Sequence, residues 1–253
     1  MTDLSGSTFV LVHGAWHGGW CWRDVATRLR ALGARVFTPT LTGLGERRHL
    51  REAYRGLQTF ITDITAVVET EELRDIVLVG HSFGGMVITG VADRMPQRVR
   101  RLVYLDAFVP NDGDSVITCA PGADADSISR LRRALEAQAV DGEWIAPPPP
   151  ELVGLHLATE DARDWDLRNM SDQPFSSFAE PLPLANGRPS IPSTYVVCDN
   201  PPMPGTPFVA HYKEILAGNY GPQWTTRRID TGHMAMITAL DETVAMLVEA
   251  ASG

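Results

Sequence analysis

Unbroken apolar runs alternate along this chain with stretches whose apolar positions fall three and four residues apart. Residues 9–12, 35–38, 76–79, 99–106, 193–198 and 224–229 read as strands, and a run as continuously apolar as 9–12 belongs in a parallel sheet covered on both faces. Between them, Trp22, Val25, Leu29 and Leu32 mark one face of a helix that stops at Gly33. Leu57, Phe60, Ile61, Ile64, Val67 and Val68 mark another. A third helix starts near Met86 and ends near Met95-Pro96, a fourth covers 208–216, and a last one follows the final strand. Strand and helix in alternation predict an α/β fold, a mainly parallel sheet of about six strands flanked by crossover helices.

The alternation lapses between 107 and about 192. This stretch is rich in Pro, Asp and Ala, carries short helical patches such as 128–135, and shows no clear strand. An insertion this long after the strand ending at Asp106 predicts a helical cap over the carboxyl edge of the sheet. Trp144, Leu152, Leu155, Trp165, Phe175 and Phe178 are its candidates for an apolar pocket wall, and His156 receives no role.

The chain has 253 residues, and no Pro/Ser/Gly-rich linker separates two strand–helix patterns, so one domain over 1–253 is expected. A formal net charge of -9 without a basic cluster argues against nucleic acid or an anionic membrane as partner. No apolar run approaches a membrane span of roughly 20 residues. The first seven residues lack a basic region followed by an apolar one. The three cysteines, Cys21, Cys119 and Cys198, are odd in number and far apart, which fits free thiols. A cytoplasmic address follows. Oligomeric state is not legible, and a homodimer is compatible with the sequence.

Candidate chemistry clusters where the strands end. Gly80-His81-Ser82-Phe83-Gly84 follows an apolar strand and opens an apolar helix, the context that makes a GxSxG match a nucleophile elbow. The glycines let strand and helix approach while Ser82 is exposed on the turn, and the Phe83 N–H lies at a helix N-terminus, where it favours a developing oxyanion. The first strand runs into His13-Gly14-Ala15-Trp16-His17-Gly18-Gly19-Trp20, where the Ala15 N–H is placed to be the second oxyanion donor. His233, between the last strand and the last helix, is the imidazole whose chain position suits a general base for Ser82. His13 and His17 lie in a glycine loop, not on a helix that would converge them on a metal, so neither a metal site nor a cofactor is expected. The third member of a triad has two candidates that end strands, Asp106 and Asp199. Asp106 is preferred because a near-buried carboxylate there needs a partner, whereas Asp199 in Asp-Asn-Pro-Pro has a sufficient explanation as a turn. Arg47, Arg48 and His49 are read as a solvated turn with internal ion pairs.

The three stretches 9–22, 80–85 and 232–236 resemble the α/β-hydrolase branch that holds plant methylesterases, hydroxynitrile lyases and related bacterial esterases. The likeness covers the sheet end to end and is weak between 107 and 192. It implies Ser82 as nucleophile, His233 as base, and the Ala15 and Phe83 N–H groups as oxyanion hole. It also separates two activities. The lyases carry a threonine where Gly14 stands and a lysine where Met234 stands, so this chain has the esterase pair. Gly14, Trp16 and Met234 join Trp144, Trp165 and Phe178 as expected pocket residues. The chain departs from the plant pattern after Cys198, where the family's aspartate is expected and Asn200-Pro201-Pro202 intervenes, a second reason to keep Asp106. The expected activity is hydrolysis of a small, largely apolar ester, or a related carbamate or lactone. A hydroxynitrile-type C–C lyase and a non-catalytic receptor for a small ligand are the alternatives.

Overall fold

A computed structural model describes residues 3–154, 157 and 159–252. In chain order its strands are β1 (Thr8–Val12), β2 (Arg35–Phe37), β3 (Ile76–His81), β4 (Val99–Leu105), β5 (Ala139–Val140), β6 (Trp144–Ile145), β7 (Gln173–Pro174), β8 (Ser193–Cys198) and β9 (Trp224–Ile229). Six of them form one parallel sheet in the order β2-β1-β3-β4-β8-β9. Successive side chains of a strand point to opposite faces, and here both faces are buried. Val10, Val12, Leu78, Tyr104 and Tyr195 join the core on one side, and Phe9, Leu11, Val77, Val79, Val103 and Leu105 join that on the other. Double coverage is why residues 9–12 and 76–79 are apolar at every position. At the edge, β9 exposes Thr225, Arg227 and Arg228, and Arg227 pairs with Glu249 of the last helix.

Strand order positions the chemistry. From β1 the chain steps to β2 on one side and then crosses to β3 on the other, so the loops leaving β1 and β3 part at a topological switch point. Open α/β sheets bind ligands in that crevice. Helices Arg23–Ala31, Leu57–Thr70, Gly84–Arg94, Phe208–Leu216 and Leu240–Ser252 lie where the apolar spacing puts them. Among the described residues no helix is long and apolar enough to cross a membrane.

The segment inserted between β4 and β8 departs from its sequence reading. Helix Ala125–Glu136 covers the expected patch 128–135, helices Pro150–Gly154, Glu160–Asn169 and Phe175–Ala179 fill out the helical cap, and β5, β6 and β7 add a small antiparallel sheet where no strand was expected. Each of these strands is two residues long, too short to show a period of two. Asp141 and Gly142, both at positive φ, turn the chain between β5 and β6. Leu155 and His156 lie outside the described residues.

Candidate active site

Ser82 follows β3 directly and adopts φ 53°, a left-handed conformation that a serine holds only when its surroundings impose it. Its N–H donates to Leu105 O at 3.2 Å, and its carbonyl accepts from Gly85 N at 3.1 Å and Phe108 N at 3.2 Å. The glycines are required by contact. A Cβ at Gly80 would lie 2.7 Å from Gly84 O, and one at Gly85 would lie 2.0 Å from Phe108 O. Phe83, fully buried between Phe60 and Phe178, occupies the N-cap position of helix Gly84–Arg94. Its N–H and that of Ala15 donate to none of the turn and loop carbonyls among the described residues.

The loop after β9 brings His233 to the same rim. Its Nδ1 donates to Asp106 Oδ2 at 2.7 Å, and Asp106 Oδ1 accepts from Cys198 N at 3.1 Å. Asp106 has φ 44° and is 1 % exposed, so its carboxylate is a desolvated acceptor aimed at the imidazole. Phe208 stacks on the His233 ring at 5.2 Å with planes 7° apart, and His81 donates from Nε2 to the His233 carbonyl at 3.0 Å. With Nδ1 on Asp106, the other ring nitrogen of His233 points away from the aspartate. Burial, followed by the nearby His233, drives the His81 pKa well below its usual value, so His81 stands neutral beside the His233 ring. Asp199, the other candidate acid, instead makes a 2.7 Å ion pair with Arg228 Nε at the surface. The structure therefore brings Asp106 to His233 and leaves Asp199 away from it.

On the β1 side, His13 is wholly buried. Its Nε2 accepts from Leu41 N at 3.1 Å, which puts the proton on Nδ1, and Nδ1 donates to Gly14 O at 2.8 Å. Burial lowers its pKa to about 3, against the opposing bond to the Gly14 carbonyl. His17 donates from Nδ1 to Ala15 O at 2.7 Å and from Nε2 to Asp166 Oδ1 at 3.2 Å. Burial opposes the charged form of His17, but the Asp166 charge and these two bonds outweigh it and raise the pKa. Arg47, as its turn reading implied, is spent internally on Thr40 O and Asp63.

Ser82 and His233 line one cavity of about 490 Å³, together with Gly14, Ala15, Trp16, Phe178 and Met234. Three expected wall residues are not there, and one of them, Phe175, is half-buried against the core instead. Trp144 lies flat under the Arg51 guanidinium, 4.3 Å from it, and near Tyr54. Trp165 packs edge-on against Trp20 at 4.9 Å with Arg23 over its face. Trp165 and Asp166 are neighbours on helix Glu160–Asn169, about 100° apart around its axis, so one facing the cavity turns the other away. The residues that sequence reasoning missed include Phe208 stacked on His233, the turn 203–207 after β8, and the pair His17–Asp166. The apolar face of helix Phe208–Leu216 was a usable signal for Phe208. No local signal joins residues 149 positions apart. Gly14 has almost no room to grow, since a Cβ there would lie 2.9 Å from His81 Nδ1 and 3.0 Å from Ser82 Cβ.

Comparison with known proteins bears on the family and the fold. Residues 9–246 match the model of the Alpha/beta hydrolase family. The carbendazim hydrolyzing esterase of Nocardioides sp. (strain SG-4G) is 42 % identical over 240 residues, spanning 93 % of this chain and 96 % of its own. Methylesterase 10 of Arabidopsis thaliana is 27 % identical over 263 residues, 96 % of this chain and 91 % of its own. Among solved structures, an extracellular alpha/beta-hydrolase from a Paenibacillus species superposes with TM-score 0.79 at 26 % identity, over 96 % of this chain and 98 % of that one. That protein is described as sharing structural and functional homology with tobacco salicylic acid binding protein 2.

Proposed function

The chain belongs to the alpha/beta hydrolase family, and from that membership and the site geometry we propose that it is a serine esterase working through an acyl-enzyme on small, largely apolar esters or carbamates. The observation that carries the reading is the buried Asp106–His233 hydrogen bond of 2.7 Å on the wall of the cavity that Ser82 also lines. Ser82 Oγ attacks the carbonyl carbon and gives its proton to Nε2 of His233. Asp106 stabilises the imidazolium and keeps the ring in the tautomer that can accept there. The carbonyl oxygen, now an oxyanion, is held by the N–H groups of Ala15 and Phe83. His233 returns the proton to the departing alkoxide as the carbon–oxygen bond breaks, which leaves the acyl group on Ser82. A water, deprotonated by the same imidazole, then attacks the acyl carbon; the bond from that carbon to Ser82 Oγ breaks, Oγ takes the proton back from His233, and the acid is released.

The inserted segment serves as a cap. It supplies Leu131, Leu135, Leu152, Val153 and Phe178 to a wall with few polar groups, which supports a compact apolar substrate. A carbamate is included because the Nocardioides relative is a carbendazim hydrolyzing enzyme. The three cysteines are unpaired and buried, which supports a reducing, cytoplasmic setting. The reading is tested by turnover of p-nitrophenyl esters, aryl carbamates and lactones of graded acyl size, with Ser82→Ala as the blank. The serine variant is expected to lose on the order of a millionfold in kcat, because nucleophile and base act as a unit. Near-normal turnover by that variant would remove Ser82 from the mechanism.

A further inference from the structure

The esterase reading needs the Ala15 N–H to face the oxyanion, and the loop that carries it is held in a conformation it would not choose alone. Trp16, the next residue, has φ 64°, a left-handed region that a bulky L-residue holds only when its surroundings impose it. Two successive peptide units there are anchored at their carbonyls by imidazoles. The Gly14–Ala15 carbonyl receives the His13 Nδ1 proton, and in a trans peptide this points the Ala15 N–H the opposite way. The Ala15–Trp16 carbonyl receives the His17 Nδ1 proton.

What holds the second unit comes from the inserted segment. Asp166, fully buried, takes the second His17 proton at 3.2 Å. Gln173, also fully buried, accepts the Trp16 N–H on Oε1 at 3.1 Å. The orientation of its amide is set by donation from Nε2 to Ser177 Oγ at 2.7 Å, whose own proton goes to Pro174 O. The Trp16 carbonyl accepts from Ser171 N at 2.8 Å, and its indole N–H donates to Ile145 O at 3.2 Å. Asp166 Oδ2 is buried with no hydrogen-bond partner among the described residues. A half-paired carboxylate is a costly way to stabilise a fold, because burial of its second oxygen is not repaid. Its one bond goes to the imidazole that steers the loop.

We propose that Asp166 and Gln173 are positioning residues for the oxyanion hole: from the inserted segment they clamp the Ala15–Trp16 peptide, so that docking of that segment sets the direction of the Ala15 N–H. This rests on the esterase reading. It adds that the inserted segment completes the machinery as well as shaping the pocket. A donor shifted by about 1 Å can cost on the order of a hundredfold in rate, and loss of a donor 10²–10³-fold, so a loosened clamp is expected between no effect and those limits.

The test uses Gln173→Met, which keeps length and removes the acceptor, and Asp166→Leu, which removes the partner of His17. Asp166→Asn is the conservative control, since its amide can donate to Nε2 of a neutral His17 and leave Nδ1–H on Ala15. Ester kinetics and the affinity of a trifluoromethyl ketone, which adds to the serine as a tetrahedral oxyanion, are measured with a thermal melt of each variant. Gln173→Met and Asp166→Leu are expected to lower kcat about 10–100-fold with KM within about twofold, and to weaken the ketone in step. Asp166→Asn should recover most of that loss. Each site carries the test should the variant at the other not fold. Unchanged kcat at either site, or a fall in kcat with undiminished ketone affinity, overturns the proposal. Failure of the esterase reading itself shows separately, as absence of ester turnover and ketone binding in the unmodified protein.

Discussion

Replacing Asp106 with Asn changes little in volume and much in hydrogen bonding. The carboxylate has one oxygen on Cys198 N–H at 3.1 Å and the other on His233 Nδ1 at 2.7 Å, and both partners donate. An amide has only one acceptor. If its oxygen faces Cys198, its NH₂ meets Nδ1, which must then give up its proton; the proton moves to Nε2, and the imidazole can no longer accept from Ser82. The productive tautomer needs the amide flipped against the Cys198 N–H, at a cost of about 1–3 kcal/mol for the buried group left unpaired. The imidazolium also loses a charge-assisted bond worth about 1.5–3 kcal/mol. Together these make about 2.5–6 kcal/mol, or roughly 10²–10⁴-fold in kcat/KM at about 1.4 kcal/mol per decade. Asp199→Asn breaks only a surface pair with Arg228, worth about 0–1 kcal/mol of stability, and should leave turnover within about twofold. The assay is kcat/KM for one good ester substrate with a thermal melt beside it. Equal, mild losses in the two variants, or a larger loss at Asp199, would refute the assignment of Asp106.

Acidification should destabilise the protein through its buried neutral histidines. His13 and His211 are held at pKa values of about 3 by burial, and burial drives His81 well below the usual value. Below an unfolded pKa of about 6.5 the unfolded chain takes up protons that the folded chain refuses, so stability falls as pH drops from 6.5 towards 3. At pH 5 His13 and His211 each cost about 2 kcal/mol, about 4 kcal/mol together, and His81 acts in the same direction. His17, whose pKa is raised, contributes stability below 6.5 that is lost as pH rises, and so offsets part of the fall. Urea unfolding at pH 7 and pH 5 at fixed ionic strength measures the difference, and equal stabilities would contradict it. Side-chain direction gives a second contrast. Phe178→Ala should widen the accepted acyl group and shift KM, whereas Trp165→Leu should lower Tm with KM unchanged; a KM shift confined to Trp165 would mean that the cavity wall is misassigned.

The sheet was legible because strands buried on both faces are filled mainly by apolar side chains, so 9–12, 76–79 and 195–198 stand out without any neighbour being known. Ser82 was legible for a related reason: Gly80, Gly84 and Gly85 are required by contacts within a few residues or one strand away, and such requirements leave a local pattern. Asp106 against Asp199 was harder. Both end strands, and what separates them is the left-handed turn at Asp106 and the Cys198 N–H that orients its carboxylate, neither of which is written near residue 106. The inserted segment was opaque. Its strands are two residues long, and its aromatic rings divide between cavity and outer flank by helix phase, which composition does not carry. His17 reads as a loop residue until Asp166 is brought to it from 149 positions away.

The central claim is that Ser82 is a nucleophile activated by His233. Treatment with a fluorophosphonate, followed by intact-mass measurement and peptide mapping, addresses it directly. One adduct per chain on Ser82, abolished in Ser82→Ala and slowed by orders of magnitude in His233→Ala, is the expected result. Labelling that persists in Ser82→Ala, or that proceeds at the same rate without the imidazole, would contradict it.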